Sequence, residues 1–219
     1  MMDPSQWDVY LVTDRFFSRG RSTRAIVQAA MEGGVSVVQL REKELCTRDF
    51  YDAGLEIREL LRRAGIPLII NDRIDIALAL DADGVHIGTS DMPIAAARKI
   101  LGPDKIIGLS VNRVEDLDDP AASLADYLAV SPVFPTQTKK DTAPAWGLSG
   151  LETARRTTDK PLVAIGGISH TNAASVIAAG ADCIAVVTAI VAADDPAEAT
   201  KTLKAIVKKE KNRRGTISY

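Results

Sequence analysis

Three groups of polar residues in this chain have types and spacings that could do chemistry. The first is Gln39-Leu40-Arg41-Glu42-Lys43. Alternate residues of an extended strand share a face, so Gln39, Arg41 and Lys43 line up. An amide, a guanidinium fork and an ammonium in a row suit a polyanion, or an anion joined to a heteroaromatic ring. The second group is a pair of aspartates, Asp72 in Ile70-Asn71-Asp72-Arg73 and Asp91 in Gly88-Thr89-Ser90-Asp91. Two carboxylates beside a diphosphate are what magnesium favours: oxygen ligands, with waters completing an octahedral shell. Each aspartate could instead cap a helix, since Asp91 stands just before Pro93 and Asp72 could start the helix that follows it. The third group is Ser131 to Gly147, SPVFPTQTKKDTAPAWG. Pro132 and Pro135 stiffen a loop that carries Thr136, Gln137, Thr138, Lys139 and Lys140. Hydroxyls, amides and ammonium groups held this way make a grip for phosphate oxygens.

Weaker signals extend these groups. Ser110 ends an apolar run. Gly166-Gly167 would let backbone approach a phosphate with no side chain in the way, and Val187-Thr188 lies nearby in the expected order of elements. The histidines are His86 and His170. His86 falls inside an apolar run and reads as a hydrogen-bonded core residue, while His170 is expected to begin a helix. No nucleophile–base pair can be argued. That favours chemistry driven by a good leaving group and charge stabilisation over covalent catalysis.

These residues need elements to position them. Short apolar runs predict strands over Val9–Thr13, Val37–Arg41, Leu68–Asn71, Gly84–Ile87, Ile106–Ser110, Tyr127–Val130, Leu162–Ile165 and Cys183–Val187. Their continuity suits strands buried on both faces of a parallel sheet. Helical patterns lie between them at Ala25–Met31, Asp49–Ala64, Ile94–Leu101, Thr171–Ala179 and Ala197–Lys209. Asp195-Pro196-Ala197-Glu198 is a helix start, with a capping aspartate, proline at the first position and glutamate at the third. Helices after Ser110 and before Lys160 leave fainter patterns. Eight strand–helix units predict an α/β fold, a single (β/α)₈ barrel, with a doubly wound open sheet as the alternative. No linker or composition shift divides residues 1–219, so one barrel domain is expected, with a basic tail from about residue 208. In such a barrel the working end is the C-terminal end of the strands. All three polar groups fall there.

Composition narrows the function classes. The 219 residues are 46% hydrophobic and 26% charged, with net charge −2. That balance is ordinary for a soluble globular chain and gives no basic surface for nucleic acid, so small-molecule partners are expected. The run Lys208-Lys209-Glu210-Lys211-Asn212-Arg213-Arg214 reads as a solvated helix end rather than a nucleic-acid arm. The two cysteines, Cys46 and Cys183, are far apart and have no histidine cluster beside them, which fits a reducing cytoplasm better than a disulfide or zinc framework. There is no signal-peptide pattern and no apolar run of membrane-spanning length, so neither secretion nor a membrane is expected. A homo-oligomer stays open.

The chain resembles the thiamine phosphate synthases. The matching pieces are Tyr10-Leu11-Val12-Thr13-Asp14, Val38 to Lys43, Ile70-Asn71-Asp72-Arg73, Asp83 to Gly88, Asp91, Ile107-Gly108-Leu109-Ser110, Phe134 to Asp141, and Ala164 to Ile168. They run in family order over nearly the whole chain. The resemblance implies a transferase that joins hydroxymethylpyrimidine diphosphate to a thiazole phosphate, releasing pyrophosphate. It implies that Gln39, Arg41, Lys43, Asn71, Ser110 and Lys139 hold the pyrimidine diphosphate, with Arg41, Lys43 and Lys139 as the catalytic cations. It implies magnesium at Asp72 and Asp91. It implies that Thr136, Thr138, Gly167, Val187 and Thr188 hold the thiazole phosphate. Thr188 stands where the family more often has serine, and Asn112 replaces a commoner histidine. The loop after the sixth strand is expected to close as a lid and to be less ordered without ligand. Two alternatives are a thiazole tautomerase, which would need a proton-transferring histidine, and a non-catalytic barrel that senses thiamine intermediates.

Overall fold

A computed structural model of the chain describes residues 3–136, 138 and 143–216. Eight parallel strands close into a barrel in sequence order: β1 (Val9–Val12), β2 (Val37–Leu40), β3 (Leu68–Asn71), β4 (Gly84–Ile87), β5 (Ile106–Val111), β6 (Tyr127–Val130), β7 (Leu162–Ile165) and β8 (Cys183–Val186), with β8 pairing back to β1. The strands expected from apolar runs are all present, within a residue at each end. The open-sheet alternative falls, because closure leaves no edge strand.

Alternation sorts the side chains into two cores. Val9 and Leu11 point outward to the helices, and Tyr10 and Val12 point into the barrel. The same holds on β2, where Val38 and Leu40 face out and Val37 and Gln39 face in. Trp7 closes the lower end of the barrel, with its ring edge-on to Tyr10 and Tyr127 at centroid distances of 5.6 and 5.4 Å. The polar work is thereby pushed to the other end.

Helices α1 (Thr23–Glu32), α2 (Thr47–Ala64), α3 (Ile74–Ala79) and α4 (Ile94–Leu101) cover the first four strands. Ser22 caps α1 through the Ala25 amide, and Gly65 ends α2 in the left-handed conformation. The faint pattern after β5 has a cause. Asp118-Asp119-Pro120 interrupts it, and two 3₁₀ turns, Val114–Leu117 and Pro120–Leu124, stand in place of an α-helix. The helix before Lys160 does form, as α5 (Gly147–Thr157). α6 (Ala173–Ala178), a one-turn α7 (Thr188–Val191) and α8 (Pro196–Thr216) complete the ring. Asp195 caps α8 as expected, accepting from the Ala197 and Glu198 amides at 3.0 Å each.

The lower rim repeats a device that the sequence does not advertise. The residue before each even-numbered strand turns a side-chain oxygen onto an amide at the foot of the preceding strand. Ser36 Oγ accepts from Asp8 N at 3.0 Å, Asp83 from Leu68 N at 2.8 Å, Asp126 from Ile107 N at 2.7 Å and Asp182 from Leu162 N at 2.9 Å. The basic tail joins this rim. Lys211 Nζ donates to Trp7 O and Asp8, and Arg214 to Asp182 and the Ile177 and Ala181 carbonyls. The tail is therefore more than a solvated helix end: Lys211 and Arg214, on successive turns, clasp the foot of the barrel.

Candidate active site

The C-terminal strand ends surround a cavity of about 990 Å³. Of the residues expected to carry function, Gln39, Arg41, Lys43, Asn71, Asp72, Asp91, Ser110, Thr136, Thr138, Gly167, Val187 and Thr188 all line it. Lys139 lies outside the described residues, as do Gln137, Lys140 and Asp141, so the lid expectation falls there too.

One corner is charged. Arg41 follows β2, its amide donating to Thr13 Oγ1 at 3.0 Å and its Nη1 pairing with Asp14 at 2.7 Å. Lys43 Nζ lies 2.5 Å from Asp72 Oδ2. Glu42, between them, does not line the cavity, and its carboxyl is pushed up by burial. Asp72 sits at φ +60°, a left-handed conformation that aspartate tolerates better than most residues, and its side chain makes no helix cap. Arg73 is the residue before α3. Asp91 accepts from the Gly88 amide at 2.7 Å and so closes its own turn, while α4 begins three residues later without a side-chain cap. The capping alternative thus fails for both aspartates. Burial pushes the Asp91 carboxyl above the ordinary aspartate range; the adjoining Asp72 carboxylate adds to this, against the Gly88 amide and Lys43.

The opposite corner offers backbone and hydroxyl groups, with Asp194, Asp195 and Glu198 at its edge. Gly166 and Gly167 follow β7 at φ +104° and +64°. A Cβ on Gly167 would stand 2.8 Å from Phe134 Cβ and from Pro135 O, so the turn must be bare to lie against the loop after β6. That loop is tied to it by Val133 N to Ile165 O at 2.8 Å and Phe134 N to Gly166 O at 3.0 Å. Thr138 N donates to Thr136 Oγ1 at 3.2 Å, folding the two hydroxyls together. Val187 and Thr188 open α7, where the Ile190 and Val191 amides turn back onto Val187 O at 3.1 and 2.8 Å.

The floor of the cavity holds what the sequence did not foretell. His86 Nε2 lies 2.9 Å from Ser110 Oγ, and its Nδ1 lies 3.0 Å from Tyr127 OH. Tyr127 OH lies 2.9 Å from Tyr10 OH, which accepts from Gln39 Nε2 at 2.9 Å. His86 is hydrogen-bonded, as expected, but it borders the cavity rather than a closed core. His170 does not begin a helix. It lies in the turn before Asn172, which precedes α6, and it too lines the cavity. Alternation could have flagged Tyr10 and Tyr127 as inward-facing; it could not say that they meet.

A closed parallel barrel whose strand ends carry a cationic corner and a bare-backbone corner around one cavity defines a phosphate-binding (β/α)₈ barrel. The model of the thiamine monophosphate synthase family matches residues 9–190, and the chain belongs to that family. It is 52% identical over 201 residues to the thiamine-phosphate synthase of Chloroflexus aurantiacus, covering 92% of this chain and 93% of that one. It is 54% identical over 199 residues to that of Albidiferax ferrireducens, covering 91% of each. Among solved structures, a thiamine phosphate pyrophosphorylase from Pyrococcus furiosus superposes with a TM-score of 0.86 at 39% identity, covering 94% of this chain and 98% of that one. A 3-hexulose-6-phosphate synthase, at 21% identity and TM-score 0.67, shares the fold. Among the described residues, no helix is long and apolar enough to cross a membrane.

Proposed function

We propose that this chain is a transferase that joins hydroxymethylpyrimidine diphosphate to a thiazole phosphate, giving thiamine phosphate and pyrophosphate. The observation that carries the reading is the pairing of a charged corner and a backbone-and-hydroxyl corner in one cavity. Arg41 and Lys43 suit the diphosphate that leaves, and Gly167, Thr188, Thr136 and Thr138 suit the monophosphate that stays. Asn71, Gln39 and Ser110 line the same cavity and would orient the pyrimidine.

The bond that breaks joins the pyrimidine's exocyclic methylene to the diphosphate oxygen, and the pair of electrons leaves with pyrophosphate. The bond that forms uses the thiazole nitrogen's own lone pair. An electron-rich aminopyrimidine can carry positive charge at that methylene, so no base is required. Arg41 and Lys43, with Lys139 from outside the described residues, meet the charge growing on the leaving oxygens. Holding the thiazole phosphate fixes its nitrogen against the methylene carbon.

Asp72 and Asp91 fit magnesium. Two adjoining carboxylates, Asp91 with its pKa raised and Asp72 paired with Lys43, make an oxygen-rich acidic pair of the kind a hard cation takes. Among the described residues no group of three or more histidine, cysteine, aspartate or glutamate side chains gathers, so substrate oxygens and water would complete the shell. When bound there, magnesium would neutralise charge on the departing pyrophosphate. The tautomerase alternative is not favoured, because it has no use for the diphosphate-binding set of Arg41, Lys43, Asp72 and Asp91 that lines the cavity. One barrel domain acting in the cytoplasm suits the exposed free Cys46 and the small soluble substrates.

Purified protein given both substrates and magnesium should release pyrophosphate and form thiamine phosphate in equal amounts. No release would sink the reading.

A further inference from the structure

We propose that the ladder Gln39–Tyr10–Tyr127–His86–Ser110 acts as one polarised unit that fixes which hydrogen-bonding edge the cavity offers its heteroaromatic substrate, with Tyr10 and Tyr127 as positioning residues. The inference deepens the function proposed above and rests on it for the identity of the ring.

Proton accounting carries the argument. The ladder has four links, at 2.9, 2.9, 3.0 and 2.9 Å, supplied by β2, β1, β6, β4 and β5. Each link holds one proton. Each phenol has one proton to give, and a neutral imidazole has one. Tyr10 and Tyr127 are fully buried, and burial pushes both phenols far above their ordinary range, so both keep their protons. Gln39 turns Nε2 to Tyr10, so Tyr10 must spend its proton on Tyr127, and Tyr127 must spend its own on His86 Nδ1. His86 then carries its proton on Nε2 and donates it to Ser110. Any mixed arrangement leaves a buried link with two protons or none, and an unmet buried polar group is expensive.

The two ends of the ladder are therefore not independent. Gln39 and Ser110 both line the cavity. With Nε2 engaged below, Gln39 shows the cavity its carbonyl oxygen, an acceptor. Ser110 accepts from His86 with one lone pair and keeps its own proton unspent, so its hydroxyl can offer the cavity a donor. An acceptor and a donor together match an amidine edge, an exocyclic amine beside an unprotonated ring nitrogen. A lactam edge, with carbonyl and ring N–H, matches only if the Gln39 amide turns over and all four protons reverse together. A protonated aminopyrimidine, which presents two donors, leaves the Ser110 proton unused and is matched less well than the neutral ring. Favouring the neutral ring keeps it electron-rich, as the ionisation requires.

The test compares wild type with Tyr127→Phe and Tyr10→Phe, each of which removes one hydroxyl and no ring. Dissociation constants are measured for the 4-amino pyrimidine diphosphate and its 4-oxo analogue, without the thiazole partner. Wild type should favour the amino form by on the order of 100-fold, and Tyr127→Phe should shrink that ratio at least roughly tenfold. Nitrogen-15 NMR of the imidazoles is readable because the chain has 2 histidines. His86 should carry its proton on Nε2 in wild type, with or without ligand, and should become a tautomer mixture in Tyr127→Phe. A Tyr127→Phe protein that keeps both the ratio and the single tautomer would overturn the proposal, as would Nδ1 protonation in wild type. If wild type binds neither pyrimidine, the function proposed above fails, and the ligand-free tautomer alone decides the ladder.

Discussion

Lys43 Nζ and Asp72 Oδ2 lie 2.5 Å apart, so an ammonium suited to substrate phosphate and a carboxylate suited to a metal satisfy each other. Substrate entry must trade this pair for diphosphate on one side and a cation on the other. Lys43→Ala should lower kcat/KM for the pyrimidine diphosphate by about 10²–10³-fold, as expected for losing one preorganised charge at a leaving group. The Lys43 side chain is 52% exposed, so the melting temperature should scarcely move. Steady-state kinetics and a thermal melt check both halves. An activity loss matched by a large drop in melting temperature would count against the assignment.

Asp91 gives a pH signature. Its carboxyl titrates higher in the fold than in the unfolded chain, through burial first and then Asp72. A carboxyl with a raised folded pKa lends stability that is fully present below the unfolded pKa and is lost as pH rises through the folded one. At neutral pH without magnesium, Asp91→Asn should therefore melt higher than wild type, and the gap should close in acid. Asn can still accept from the Gly88 amide, so the turn survives. Magnesium should raise the melting temperature of wild type and leave Asp91→Asn unmoved, and activity should fall on the order of 10²-fold. Equal magnesium stabilisation of the two proteins would argue against a metal at this pair.

Most of the fold was legible because parallel strands buried on both faces are short unbroken apolar runs, as Leu68–Asn71 and Tyr127–Val130 are. The charged corner was legible for a related reason: period-two alternation carries Gln39 inward and Arg41 and Lys43 after it. What stayed hidden needed distances in space. Nothing in Tyr10 or Tyr127 announces a 2.9 Å phenol pair formed by strands on opposite sides of the sequence. Gly108 is its silent partner, since a Cβ there would stand 2.0 Å from the Tyr127 ring. The helix after β5 was illegible because Pro120 breaks the segment into two short 3₁₀ turns with no long amphipathic run, and the Asp72 and Asp91 caps were misleading because aspartate serves turns, caps and metals alike.

Gly167 tests the backbone-and-hydroxyl corner. At φ +64°, with Phe134 Cβ and Pro135 O each 2.8 Å from a built Cβ, alanine must strain the turn or push the loop after β6 away. Gly167→Ala should cost about 1–3 kcal/mol of stability. It should also raise KM for the thiazole phosphate more than tenfold while leaving the affinity for the pyrimidine diphosphate nearly intact, since the charged corner is untouched. Titrating each substrate separately by calorimetry distinguishes the two. Equal weakening of both ligands would mean that the cavity has one anion site rather than two.

Asp182 tests whether the lower rim serves stability alone. One carboxylate accepts from Leu162 N at 2.9 Å, Arg155 Nη1 at 3.0 Å and Arg214 Nη2 at 3.0 Å, and so joins β7, α5 and the basic end of α8. Asp182→Ala strips a partner from a strand amide and from two guanidiniums at once. Its side chain is 17% exposed, so water screens the loss only in part. The expected cost is about 2 kcal/mol, and for a chain of this length that corresponds to a fall in melting temperature of roughly 4–8 °C. Because the rim lies at the opposite end of the strands from the cavity, kcat and both KM values measured well below the melting temperature should match wild type. Arg214→Ala should reproduce a fraction of the melting shift, since Arg155 and the Leu162 amide keep their acceptor. If Asp182→Ala changed KM while sparing stability, the division between a structural foot and a working top of the barrel would not hold for this protein.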